Sequence, residues 1–191
     1  MLALVRAMRD GRIAGAPALV ISNVPGAPGL AAAEALGVPT AVLDSSRIKP
    51  RVEHEARVIE ALERAGVDLV CLAGYMRLLT PRMIEAFPGR ILNVHPSLLP
   101  AFPGLDAQRR ALEHGVKVAG CTVHVVDEQC DHGPIVVQAP VPVLDDDTEQ
   151  TLAARILEQE HRVYVEALRL FCDDRVRIDG RRVRIVAPVD P

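Results

Sequence analysis

The feature that most narrows what this chain can fold into is a regular alternation of short apolar runs with helix-length amphipathic stretches. PALVIS (17–22), PTAVL (39–43), DLVCLAG (68–74) and RILNVH (90–95) have the length and character of strands. Between them lie GLAAAEALG (29–37), RVEHEARVIEALERAG (51–66) and TPRMIEAF (80–87), which read as helices. Within 51–66, Val52, Ala56, Ile59, Leu62 and Ala65 recur at three- and four-residue spacing and so share one helical face. Strands joined through helices pair in parallel, because a crossover of that length returns the chain to the same end of the sheet.

The expected fold is therefore α/β: a mostly parallel, Rossmann-like sheet with flanking helices. The later half changes character. KVAGCTVHVV (117–126) and GPIVVQAPVPVL (133–144) are longer strand-like runs joined by DEQCDHG, which predicts an antiparallel extension. A long helix follows from about Thr148 to Phe171, and Asp147 with Gln150 offers a capping-box-like start. RVRIDGRRVRIV then reads as a hairpin turned at Asp179–Gly180, its arginines a solvated face.

At 191 residues, 49% hydrophobic and 25% charged, one domain spanning 1–191 accounts for the length. A net charge of −3 argues against a broad electrostatic grip on nucleic acid. No apolar run approaches the ~18–20 residues of a membrane span. Cys71, Cys121, Cys130 and Cys172 form neither a CxxC pair nor a zinc-ligand spacing, so we expect no metal and a reducing, cytoplasmic setting. The chain opens on MLALVRAMRDGRIAG, already helical in pattern, and contains neither GxGxxG nor GxxxxGK[ST]. Since the first strand of such a sheet commonly lies at its centre and leads into a phosphate-binding loop, a late start of the given chain is the expectation.

Three segments place chemistry where ligands collect. In ILNVHP (91–96) Asn93 and His95 share a face with Ile91, at the carboxyl end of a strand, before Pro96 ends it. They could be satisfied by neighbouring backbone in a core, or serve as a proton carrier and an oxyanion donor. DEQCDHG packs Asp127, Glu128, Asp131 and His132 into a tight connection. That is a polar turn, or the source of a carboxylate that fixes the tautomer of His95 and raises its pKa. Glu160 falls inside the apolar stripe Leu152, Ile156, Val163, Ala167 and Phe171, where a carboxylate must be paired, protonated or facing a cleft. No HExxH spacing accompanies the histidines.

LAGYMRLLTP, GRILNVHPSLLPAFPG, ALEHGVKVAGCTVHVVDEQCDHGPIVVQAPVPV and LEQEHRVY together resemble the glycinamide ribonucleotide formyltransferase family, folate-dependent enzymes of purine biosynthesis. The resemblance runs in order from residue 1 to the final hairpin. It implies transfer of formyl from 10-formyltetrahydrofolate, a cosubstrate, to the amine of glycinamide ribonucleotide, with no metal, by a monomer or homodimer. Carried over residue by residue, it implies that His95 is the general acid/base, that Asn93 holds the formyl oxygen, and that Asp131 orients His95. Arg51, Met76, Arg77, Leu78, Leu79, Asn93 and the loop Asp127, Glu128, Gln129, Cys130, Asp131 would hold the folate. Met76, Pro96 and Glu160 would meet the ribonucleotide. The chain departs from the family pattern in starting beyond the first strand and its phosphate loop, and in carrying Asp106 where a histidine commonly follows PGL. The same site could pass formyl to water, as a formyltetrahydrofolate deformylase does, or bind folate without turnover.

Overall fold

The computed structural model describes residues 1–188. In chain order it contains α1 (Leu2–Arg9), β1 (Val20–Ser22), α2 (Pro28–Ala35), β2 (Thr40–Val42), α3 (Arg51–Arg64), β3 (Val70–Leu72) and α4 (Pro81–Ala86). There follow β4 (Ile91–His95), α5 (Ala107–His114), β5 (Val118–Val125), β6 (Ile135–Pro142), α6 (Glu149–Cys172), β7 (Val176–Asp179) and β8 (Arg182–Ile185).

The alternating half forms the parallel pairs β1–β2 and β3–β4, and the long later strands add β5 and β6 antiparallel, giving the order β3-β4-β5-β6. The sheet is thus mixed, with helices on both faces. Among the described residues β1 and β3 form no ladder with each other. Packing bridges the two ladders instead, since Ile21 of β1 lies against the cluster of Ile59, Leu62, Val70, Met83 and Ile91.

Strand alternation sorts the core into two layers. Leu92 faces one way, into a cluster with Val123, Val125, Ala139 and the α6 stripe Leu152, Ile156, Val163, Ala167 and Phe171. Ile91 faces the other way, towards α3 and α4. Tyr164 of α6 fixes the helix to the sheet: its hydroxyl proton is shared between the carbonyls of Leu72 (2.8 Å) and Leu92 (2.9 Å) on adjacent strands.

Two local details differ from the sequence expectation. The α6 cap is Thr148, whose hydroxyl accepts from the Thr151 amide (3.2 Å) while Thr151 Oγ1 accepts from the Thr148 amide (2.9 Å). Asp147 is drawn away by Arg155, with two contacts at 2.7 and 2.8 Å, and by the Leu144 amide. The hairpin turns one residue later, at Gly180–Arg181, because Asp179 pairs with Arg182 in the ladder; Gly180 takes the positive φ (56°) that such a turn requires. Among the described residues no helix is long and apolar enough to cross a membrane, and no cluster of three or more His, Cys, Asp or Glu is arranged to hold a metal ion.

Candidate active site

The site is built from the carboxyl end of β4 outward. Asn93 and His95 lie on the Ile91 face, beyond the reach of that apolar layer, and β5 runs antiparallel beside them with Asn93 opposite His124 and His95 opposite Thr122. The segment after His95 is tied down by buried hydrogen bonds. Thr122 Oγ1 donates to the Ser97 carbonyl (2.7 Å) and accepts from the Leu99 amide (3.0 Å), and Gln138 donates to both Thr122 Oγ1 and the Leu99 carbonyl (2.9 Å each). Pro96 follows within this tethered turn.

The connection after β5 folds back towards the same residues. Gly133 passes so near β5 that a Cβ there would lie 1.8 Å from the Val125 carbonyl oxygen, so only glycine permits this path. Asp131, with a left-handed backbone (φ 49°), thereby aims its carboxylate at two histidines. Oδ2 stands 3.2 Å from His95 Nδ1, and Oδ1 stands 3.6 Å from His124 Nε2, an electrostatic neighbour rather than a hydrogen bond. The Gly104 amide donates to Asp131 Oδ2 (2.8 Å). Burial by itself raises the Asp131 carboxyl, but His124, the Gly104 amide and His95 together overcome it and bring it down to about 2.

His95 is 5% exposed, and its Nε2 donates to the Phe102 carbonyl (2.9 Å). The expectation that Asp131 raises its pKa holds for that one interaction and fails for the sum. Burial is the largest influence and lowers it, His124 and Arg110 push the same way, and the Phe102 carbonyl and Asp131 only partly offset them. The Asp106 carboxylate pairs with Arg109 (2.5 Å) and is not among the groups that shift His95.

His124, which the sequence reading did not single out, belongs to the cluster. It is 2% exposed; Nδ1–H donates to its neighbour's carbonyl, Val125 O (3.1 Å), leaving Nε2 to accept from Asn93 Nδ2 (3.2 Å). One amide proton of Asn93 is thereby engaged and the other is free.

A second group lies beyond the carboxyl end of β3, which runs parallel to β4. Arg51 Nε donates to Glu55 (3.2 Å), and Glu55, 1% exposed, also accepts from the Thr80 amide (2.9 Å) and hydroxyl. Burial and the Glu55 charge push the Tyr75 phenol up, while Arg77 and Arg51 oppose the rise. Arg51 Nη2 and Arg77 Nη1 are buried without a hydrogen-bond partner, whereas buried polar atoms ordinarily have one. Met76 and Leu78 are exposed, at 76% and 53%, and Leu79 packs against the α3–α4 core.

The loop 127–132 is polar and largely exposed. Asp127 accepts from the Gln129 amide (3.0 Å) and pairs with His132 (2.7 Å), Cys130 Sγ lies 3.5 Å from Asp131, and Arg181 of the hairpin turn donates to the His132 ring. Glu128 is exposed. Glu160 stands apart on α6. Burial raises its pKa, opposed by the Met1 amine, and its charge in turn helps push the Cys121 thiol up.

The formyl transferase family matches residues 1–168. The chain belongs to that family. Among other members, it is 37% identical to the phosphoribosylglycinamide formyltransferase of Escherichia coli K12 over 95% of this chain and 89% of that protein. It is 46% identical to the trifunctional purine biosynthetic protein adenosine-3 of Gallus gallus over 84% of this chain, and spans only 16% of that protein's length. A solved formyl transferase relative, glycinamide ribonucleotide transformylase 1 from Symbiobacterium toebii, superposes with a TM-score of 0.95 at 56% identity, covering 97% of this chain and 87% of that one.

Proposed function

We propose that this domain transfers the formyl group of 10-formyltetrahydrofolate to the primary amine of glycinamide ribonucleotide. The observation that carries the reading is the convergence of His95, Asn93 and Asp131 at the end of β4. It supplies a buried proton carrier with an ionised carboxylate 3.2 Å away, and an amide donor oriented by His124, which itself stands 3.6 Å from that carboxylate.

In this scheme the substrate amine attacks the formyl carbon. The carbonyl pair moves onto oxygen, and the free Nδ2 proton of Asn93 binds that oxyanion. His95 removes the proton from the attacking nitrogen and returns one to N10 of the folate as the C–N10 bond breaks, so the ring ends each cycle as it began. Asp131 holds the ring and stabilises the imidazolium between those steps, and His124 keeps Asn93 oriented. The folate would lie along the 73–79 and 127–131 loops, with Met76, Leu78 and Leu79 supplying apolar cover and Asp127, Glu128, Gln129 and Cys130 a polar edge. The two unpartnered guanidinium nitrogens of Arg51 and Arg77 would take its carboxylates. Glu160, with Met76 and Pro96, would contact the ribonucleotide, whose small charged chemistry suits a cytoplasmic setting.

The test of this reading is a steady-state assay of folate product with and without glycinamide ribonucleotide: turnover should require the amine, and amine-independent turnover would instead mark a hydrolase. Arg51→Ala should raise KM for the formyl donor about 10- to 100-fold, the value of one charge-assisted contact, with kcat little changed. A selective fall in kcat would remove Arg51 from folate binding. Asp131→Asn should move the acid limb of the pH profile of kcat/KM to lower pH. Asp131 is ionised throughout the working range, so the limb reports His95, and losing a negative charge lowers the His95 pKa further. An unmoved limb would exclude Asp131 as its tuning group.

A further inference from the structure

We propose that Arg110 is a positioning residue for the His95–Asp131 pair, acting through a three-residue bracket, Phe102–Gly104, that it holds in place. The inference rests on the formyl-transfer reading for its kinetic consequence and on geometry alone for the bracket.

The bracket touches both members of the pair. Its first residue presents the Phe102 carbonyl to His95 Nε2 (2.9 Å), and its last presents the Gly104 amide to Asp131 Oδ2 (2.8 Å), the same oxygen that faces His95 Nδ1. A displacement of this short loop therefore disturbs the ring and its carboxylate together. The loop is not held by its own conformational preference. Phe102 has φ 51°, a left-handed backbone that a bulky aromatic residue rarely adopts without support from its surroundings.

The support comes from α5. Arg110 Nη1 donates to the Pro103 carbonyl (2.5 Å), at the centre of the bracket, and its guanidinium carbon lies 5.7 Å from the centroid of the Phe102 ring. His114, four residues further along the same helix face, meets that ring edge-on at 5.8 Å and 69°. Arg110 is available for this because its neighbour Arg109 takes the local carboxylates, Asp106 and Glu113; among the described residues Arg110 forms no ion pair.

The bracket matters because both groups facing the His95 ring are acceptors. They are satisfied together only when both ring nitrogens carry protons, the state the ring reaches after taking the amine proton. Holding the Phe102 carbonyl and Asp131 in place thus prepares the site for the imidazolium, against burial and the charges of His124 and of Arg110 itself, which disfavour it.

Two substitutions separate the tether from the charge: Arg110→Leu and Arg110→Gln both remove the cation, but only glutamine can donate to the Pro103 carbonyl. Arg110→Leu is expected to lower kcat for formyl transfer about tenfold or more, with KM for the formyl donor nearly unchanged, and Arg110→Gln to recover most of the loss. Equal losses in the two variants would overturn the proposal, since charge would then be what matters. A second readout needs no turnover. The buried Nε2–H of His95 should give a slowly exchanging downfield proton resonance in the unsubstituted protein and in Arg110→Gln, lost in Arg110→Leu. Its persistence in all three would also overturn the proposal. Should the unsubstituted protein transfer no formyl group, the functional reading fails and this resonance still decides the bracket.

Discussion

His95→Ala is expected to reduce turnover by about 10²–10⁴-fold while leaving affinity for the formyl donor within a few-fold. The asymmetry follows from position. At 5% exposure the ring offers almost no surface to a bound folate; with Nε2–H held by the Phe102 carbonyl, Nδ1 beside Asp131 is the nitrogen left to take and return a proton. Its contribution therefore lies in proton movement at the reacting atoms. Losing the ring also strands the Phe102 carbonyl and leaves Asp131 with His124 alone as an imidazole neighbour, so a modest drop in Tm should accompany the kinetic loss. Donor affinity measured by fluorescence titration, set beside kcat from the transfer assay, checks the expectation. Parallel losses in both would make His95 a binding residue.

Asn93→Ala is expected to cost about 10²–10³-fold in kcat, the usual price of removing one oxyanion donor. The amide is oriented before substrate arrives: His124 accepts one of its protons, and the Val125 carbonyl holds His124 in the tautomer that allows this. An interaction that strengthens as charge develops on the formyl oxygen should fall on kcat and kcat/KM alike, with KM nearly constant. A rise in KM at unchanged kcat would show that Asn93 binds the ground state and no more.

Much of this arrangement was legible in the sequence. Periodicity alone separates Leu92 from Ile91, Asn93 and His95, and the structure packs Leu92 and Ile91 into different core clusters as expected. The Asp and Gly of DEQCDHG proclaim a tight turn, and the turn does bring Asp131 to His95. His124 was hidden because it sits within a run of buried residues on β5; its meaning appears only once the antiparallel register sets it opposite Asn93. The sign of the His95 shift was missed for a related reason: a carboxylate neighbour is visible in sequence, whereas the degree of burial that outweighs it is not. Nor does any pattern announce the Phe102 carbonyl, a main-chain group delivered by an unusual backbone angle. The α6 cap moved by one residue because Asp147, a good cap by type, finds a better partner in Arg155 across the chain.

The most direct test of the central claim is a single-turnover reaction of the protein with formyl-labelled 10-formyltetrahydrofolate, quenched and separated by product, with and without glycinamide ribonucleotide. The account predicts that the label appears in the amide of the ribonucleotide product and that little is released without the amine. Label recovered as formate at the same rate with or without the amine would contradict it.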